Sequence, residues 1–486
     1  MAEQNETPQP PIAIQWKKYT SYELEVDPNQ DDKAREIQLC NFSRPHMRAF
    51  HYAWWSFFVA FFVWFAVTPL LPDIQETLNL TDKEIWNSSI AGVGGTILVR
   101  FIVGPLCDKY GARILFSLML CGAAIPCACI GFIHSSTGLI ALRAFIGIAG
   151  GTFVTCQYWA SRMFAKEVVG TANALVAGWG NLGASISVIA MGSYIFPWFS
   201  NMFDGDEEMA WRTASIVPSI VAFGTGVAIY YHCDDAPKGN YSEMKENGAM
   251  EDVSARTSFV SASRDWNTWV LFLQYGCCFG VELTMNNAIF KYFMDEFGLS
   301  SASSHSIGSI FGWMNLFARG LGGVMSDSMS ETMGMKGRIL SQAFLLLCEG
   351  VAVIIFAGTD TLAGAVIILI IFSLFVQAAE GTSYGIVPYV NPPFTGSVSG
   401  IVGAGGNVGA VVFGLFFREM SYLHAFNVMG GFVIASSFLS AFISIKGHRG
   451  LCKGEDMVVD KETGEIVEDA AVLDRSARPP MVPAPV

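Results

Sequence analysis

Charge is scarce in this chain. Asp, Glu, Lys and Arg make up only 15% of its 486 residues, where a soluble protein averages about 25%. So few charges cannot dress a water-exposed surface, which excludes an ordinary soluble globular domain. No basic stripe is present and the net charge is −13, which excludes nucleic acid as a partner. The eleven Cys show no metal-ligand spacing and read as small buried hydrophobes, so neither metal nor other cofactor is expected. No nucleophile–base pair stands at a plausible depth, so the chain does not read as an enzyme. The first 50 residues hold no apolar core, which argues against a cleavable signal peptide.

Apolar residues are abundant, at 52%. Stretches of about 20 mostly apolar residues read as transmembrane helices, and twelve are expected. They lie near 51–72, 85–106, 114–133, 137–160, 168–196, 211–231, 267–290, 302–326, 339–357, 361–384, 395–418 and 423–446. The longest polar interruption, 232–266, divides six from six. The expected fold is an all-α membrane protein of two six-helix bundles, 51–231 and 267–446. A tail at 1–50, the linker at 232–266 and a tail at 447–486 flank them. Lys and Arg concentrate in the N-terminal tail, the linker and the loops after even-numbered helices (Lys109, Arg113, Arg162, Lys166). By the positive-inside rule both termini are cytoplasmic. The acidic runs, such as Asp204–Glu208 and 455–474, read as solvated segments.

Two arginines interrupt the apolar stretches in the same frame. Arg100, Gly104 and Asp108 recur as Arg319, Gly323 and Asp327, both times R-x-x-x-G-x-x-x-D. A guanidinium at mid-bilayer costs about 2.5–3.5 kcal/mol on insertion scales. One per half asks for a buried anion between them and points to a transporter of a small anion. Trp179–Ala184 (W-G-N-L-G-A) and Gly405–Ala410 (G-G-N-V-G-A) form a second repeat, at an offset of 226 residues against 219 for the arginines. A parallel repeat places substrate near the midplane, between the halves. Asn181 and Asn407 offer amide donors to an oxyanion, or a hydrogen bond between helices. The plainer reading of the arginines is that each pairs with a buried glutamate, with Glu282, Glu349 and Glu380 available. Tyr275, Glu282 and Asn286 share a face of helix seven, and a buried Glu there can serve as arginine partner or proton carrier. Helix one is crowded with aromatics from Phe57 to Phe65, one or two of which could stack on a planar anion.

The loop after helix two reads Gly104-Pro-Leu-Cys-Asp108-Lys-Tyr-Gly-Ala-Arg113 and resembles the signature loop of the major facilitator superfamily. Asp108 is expected to pair with nearby cations and, with Arg113, to latch the helices. Asp327 and Arg338 form a weaker echo. Segments 91–113, 177–184, 275–287, 315–327, 377–389 and 400–410 resemble the nitrate/nitrite porter family, in its eukaryotic high-affinity branch. The short linker is similar to plant and algal members.

That resemblance implies nitrate held between Arg100 and Arg319, walled by Phe61 and Tyr275, with Asn181 and Asn407 nearby. It implies uptake across the plasma membrane by alternating access, with nitrite preference left open. An anion entering a negative cell works against about 2.3 kcal/mol per 100 mV, so cotransported cations are needed. Protons are the first expectation, with Na⁺ as the alternative and Glu282 and Glu380 as carriers. Some relatives of this branch depend on a single-span accessory protein. Two other readings stand beside symport: nitrate/nitrite exchange, and a nitrate sensor with little flux.

Overall fold

A computed structural model describes residues 16–454, 457–459 and 466–468. The acidic run at 455–474 lies almost wholly outside the described residues. Twelve long helices form the body: α1 (His46–Leu78), α2 (Asp82–Tyr110), α3 (Ala112–Phe132), α4 (Ser136–Met163), α5 (Val169–Met202) and α6 (Glu207–His232), then α7 (Trp266–Phe297), α8 (301–333), α9 (Met335–Ala357), α10 (Leu362–Val390), α11 (Thr395–Glu419) and α12 (Tyr422–Phe438). Ten of them are long and apolar enough to cross a membrane. The other two are α7, which carries Gln274, Glu282, Asn286 and Lys291, and α8, which is cut by a turn at Met314–Leu316. The helices that miss the criterion are two that carry polar residues of the site.

Local sequence sets several boundaries. Thr81 and Glu84 form a capping box that opens α2. Gly111 closes α2 at φ +84°, and the Asp235 carboxylate occupies the space a β-carbon would need. Several breaks inside spans were not anticipated from hydropathy, three of which stand out. In α4, Gly147–Gly151 winds as a 3₁₀ turn; in α5, Ala190–Ile195 is a π segment ahead of Pro197; in α8, Phe317 leaves helical geometry at φ −133°. Such departures displace carbonyls from the i→i−4 ladder and free them for other donors.

Small residues carry the helix contacts. Across the two sets of six, α2 packs on α11 and α5 on α8. A β-carbon on Gly400 would lie 2.5 Å from the Arg100 carbonyl, and one on Gly396 as close to that of Gly104. Within the second set, Gly280 of α7 packs against the backbone of Gly409 on α11. Without a hydrophobic driving force between helices in lipid, such close backbone approach supplies the van der Waals contact that holds a bundle. Large apolar side chains such as Leu98, Ile102, Phe132 and Ile220 project outward, as lipid-facing surface requires.

One end of the bundle gathers the described N-terminal segment, the linker and the stretch after α12. At this linker end Lys18, Tyr19 and Arg44 all reach Asp234, at 3.0, 2.6 and 3.3 Å. Two short linker helices, Tyr241–Glu246 and Ala255–Arg264, lie across it, the second packed on α2 and α11.

The α2–α11 seam makes a paired prediction. Gly400→Ala drives a methyl into backbone, and overpacking of this kind costs about 1–3 kcal/mol; its thermal unfolding midpoint in detergent should fall. Gly414 on the same helix has nothing within 4 Å of its β-carbon position. Gly414→Ala should unfold no lower than the parent, since alanine gains helix propensity of roughly 1 kcal/mol.

Candidate functional site

The α2 stripe turns inward to where α4 is broken. Thr96 donates to the carbonyls of Gly92 (3.1 Å) and Gly147 (2.8 Å). One turn further along, Arg100 is fully buried, and its Nε donates to the Gly150 carbonyl at 3.0 Å. Its Nη1 crosses to α11 and donates to the Gly403 carbonyl at 2.5 Å. The guanidinium lies 4.9 Å from the ring centre of Phe153 and 5.3 Å from that of Phe279. Nη2 has no hydrogen-bond partner among the described residues, and no carboxylate pairs with Arg100 there.

Arg319 is equally buried but is treated differently. It forms an ion pair with Glu380 of α10 and donates to the Tyr275 hydroxyl of α7 at 2.9 Å. Its guanidinium stands 5.6 Å from the Phe153 ring centre, so one ring serves both arginines. Tyr275 and Phe279 stack on Phe153 at 5.7 and 5.8 Å, and Tyr384 closes edge-on at 5.0 Å. The result is an aromatic cage flanked by two cations, one from each set of six.

The polar residues around the cage are also buried. Glu282 accepts from Asn315 at 2.9 Å and from Asn181 at 3.3 Å. Asn407 sits one turn beyond Gly403 on α11, and neither amide atom has a hydrogen-bond partner among the described residues. The expected group thus meets in part: Arg100, Arg319, Tyr275 and Glu380 converge directly, with Glu282 and Asn181 beside them.

Phe61 takes a different place from the expected one. It packs on Phe57, Trp64 and Phe65 and against Gly183 of α5. Its side of α1 faces the glycines of α5, which have room for rings, while the cage wall comes from Phe153 and Phe279. Phe279 and Tyr384 each lie four residues past a recognised residue, Tyr275 and Glu380, so helical spacing could have found them. Phe153 sits behind a glycine turn and carries no such signal.

Below the cage, toward the linker end, the repeated aspartates act across the two sets. Asp108 accepts from the backbone N–H groups of Gly396 (2.8 Å) and Ser397 (2.9 Å) and from the Ser258 hydroxyl (2.6 Å). Asp327 accepts from the N–H groups of Gly170 (3.1 Å) and Thr171 (2.6 Å). These are the second and third residues of α11 and α5, so each carboxylate sits on the positive end of a helix from the opposite set. Asp327 also pairs with Arg338 at 2.6 Å. Asp108 has no cation partner among the described residues, contrary to expectation. Arg113 pairs instead with Asp235, whose buried carboxyl is pushed up to about 6 by burial, with Arg113 pulling the other way.

Two packed sets of six helices, ten of them long and apolar enough to cross a membrane, mark an integral membrane protein. Residues 53–414 match the model of the Major Facilitator Superfamily. The chain is 38% identical to high affinity nitrate transporter 2.5 of Arabidopsis thaliana over 419 residues, 86% of this chain and 83% of that one. It is 36% identical to nitrate transporter 2.1 of Chlamydomonas reinhardtii over 390 residues, 79% and 70% of the two chains. The crystal structure of the human organic anion transporter MFSD10 (TETRAN) superposes with a TM-score of 0.61 at 14% identity, over 82% of this chain and all of that one, and shows the shared fold. The chain therefore belongs to the major facilitator superfamily, in the branch of the plant and algal high-affinity nitrate transporters. Proteins of this superfamily are transporters, not enzymes.

The aspartate caps should be unequal. Asp327→Ala leaves Arg338 buried without its partner, a loss of about 3–5 kcal/mol. Asp108→Ala leaves two N–H groups and a hydroxyl, at about 1–3 kcal/mol. Thermal unfolding of the purified protein should drop further for Asp327→Ala.

Proposed function

We propose that the protein takes up nitrate by cation-coupled symport, with protons as the driving ion. The two sets of helices alternate access to a site between Arg100 and Arg319. The observation that carries this reading is Arg100: a buried guanidinium held by two carbonyls and two ring faces, with one nitrogen free of hydrogen-bond partners among the described residues. Such a cation is costly unless an anion shares the site. A guanidinium fork matches a planar oxyanion and sheds water more readily than an ammonium does. The flat ring faces suit a flat, weakly hydrated anion, and the Asn407 amide supplies a further donor.

The clamp is unequal. Glu380 already offsets Arg319, which removes the repulsion two bare arginines would exert on each other, and Arg100 supplies the charge for the anion. Protonation of Glu380 releases Arg319 to face the same anion. Proton and nitrate binding then favour each other, because each is worth more when the other is present. Acid outside the cell accordingly promotes binding there. Inward movement of one anion becomes voltage-assisted only with two or more cations.

The distribution of Lys and Arg supports a cytoplasmic linker end, and a plasma-membrane setting is part of the proposal by kinship with this branch. The crossed caps of Asp108 and Asp327 then close the cytoplasmic side, and their release opens it. A single-span accessory protein and nitrite as a second substrate are part of the proposal by kinship with this branch.

The test is labelled-nitrate uptake with simultaneous current recording in oocytes, across external pH. Acid should raise uptake, and Arg100→Lys should weaken apparent affinity by roughly ten- to a hundred-fold, the worth of a charged hydrogen bond. Undisturbed uptake by Arg100→Lys overturns the clamp. Uptake indifferent to pH and stimulated by internal nitrite points to exchange, and binding without flux to a sensor.

A further inference from the structure

The symport reading above asks for at least two protons, and Glu380 accounts for one. A third glutamate lies within electrostatic range of it. Glu349, on α9, is fully buried, and neither carboxyl oxygen has a hydrogen-bond partner among the described residues. An intramembrane carboxyl of this kind is a functional candidate by default, because its ionised form is so costly there. Glu282 differs, for it accepts from the amides of Asn315 and Asn181.

The surroundings of Glu349 fit a proton carrier. Cys277 and Cys278 of α7 and Glu380 of α10 lie within electrostatic range of it, with Arg319 of α8 beyond. The α12 face packed beside it brings Gly430 and Ile434 against Gly350, and residues 425–438 include no charged or titratable side chain. On its own helix the nearest cation is Arg338, three turns away and paired with Asp327. Among the described residues no fixed cation stands ready to hold Glu349 ionised, so a proton is what neutralises it in the dry bundle.

We infer that Glu349 carries the second coupled proton, resting on the symport reading above. Charge balance supports this. One nitrate carried with two protons, one on Glu380 and one on Glu349, moves one net positive charge inward. Each carboxylate takes one proton from the outer solution and returns it, unchanged in bonding otherwise, to the inner one. The loaded carrier is thus one charge more positive than the empty one, and an inside-negative potential favours the inward cycle.

The experiment is nitrate-evoked current per labelled nitrate taken up, in oocytes expressing the full chain with surface level measured. The wild type should show inward current, and Glu349→Gln should keep acid-stimulated flux but lose that current. Glu349→Asp should restore it. Inward current retained in Glu349→Gln overturns the inference and leaves Glu349 a fixed neutral acid. Loss of flux in both variants at normal surface level also overturns it, making Glu349 a structural residue. Wild-type flux without inward current instead removes the two-proton premise itself, a failure distinct from either.

Discussion

A guanidinium in a dry interior must be satisfied on every side that does not await a ligand, and much of this architecture follows from that constraint. Arg100 is met by a carbonyl that a glycine-rich 3₁₀ turn lifts off the helical ladder of α4, and by another from the close-packed α11. Its flat faces are met by Phe153 and Phe279, where a π face replaces hydration. Glycines at 396 and 400 allow α11 to come near enough for the bond to Gly403 to form. Seam, turn and cage thus answer a single demand.

The internal repeat is used in two ways. At the linker end it is nearly exact: Asp108 and Asp327 each cap the opposite set's helix at its second and third residues. Two matched caps close the interface from both sides of the pseudo-axis. At the cage the repeat diverges. Arg319 has a carboxylate and a phenol, while Arg100 has carbonyls and rings. The matched part suits opening and closing, and the unmatched part sets a direction of charge within the site.

The linker end ties these parts together. The short α4–α5 loop is held by the N-terminal segment, with Ala165 donating to the Ala34 carbonyl at 2.8 Å and Lys166 to Gln30 at 2.9 Å. Its other side is held by Arg338 and Tyr389, both donating to the Lys166 carbonyl. The second linker helix inserts Ser258 between Asp108 and Ser397. Segments outside the membrane body therefore bear directly on the caps.

Twelve helices, their repeat and the two arginines were legible in the sequence, because lipid forces long apolar spans and makes every buried charge conspicuous. Kinship with the nitrate transporters was legible for a similar reason: the glycine-rich segments are constrained by backbone contact and so retain their pattern. Three things were decided only by tertiary structure. Asp108 was read as seeking a cation, yet it found N–H groups on α11, nearly 290 residues away in the chain. Phe61 was chosen from a helix with many aromatics, but which ring reaches the arginines depends on how α4 and α7 are rotated. The pairing of Arg319 rather than Arg100 with a glutamate rests on the placement of α10. Composition records which groups must be buried, whereas their partners are chosen by helix rotation and register, which hydropathy does not encode.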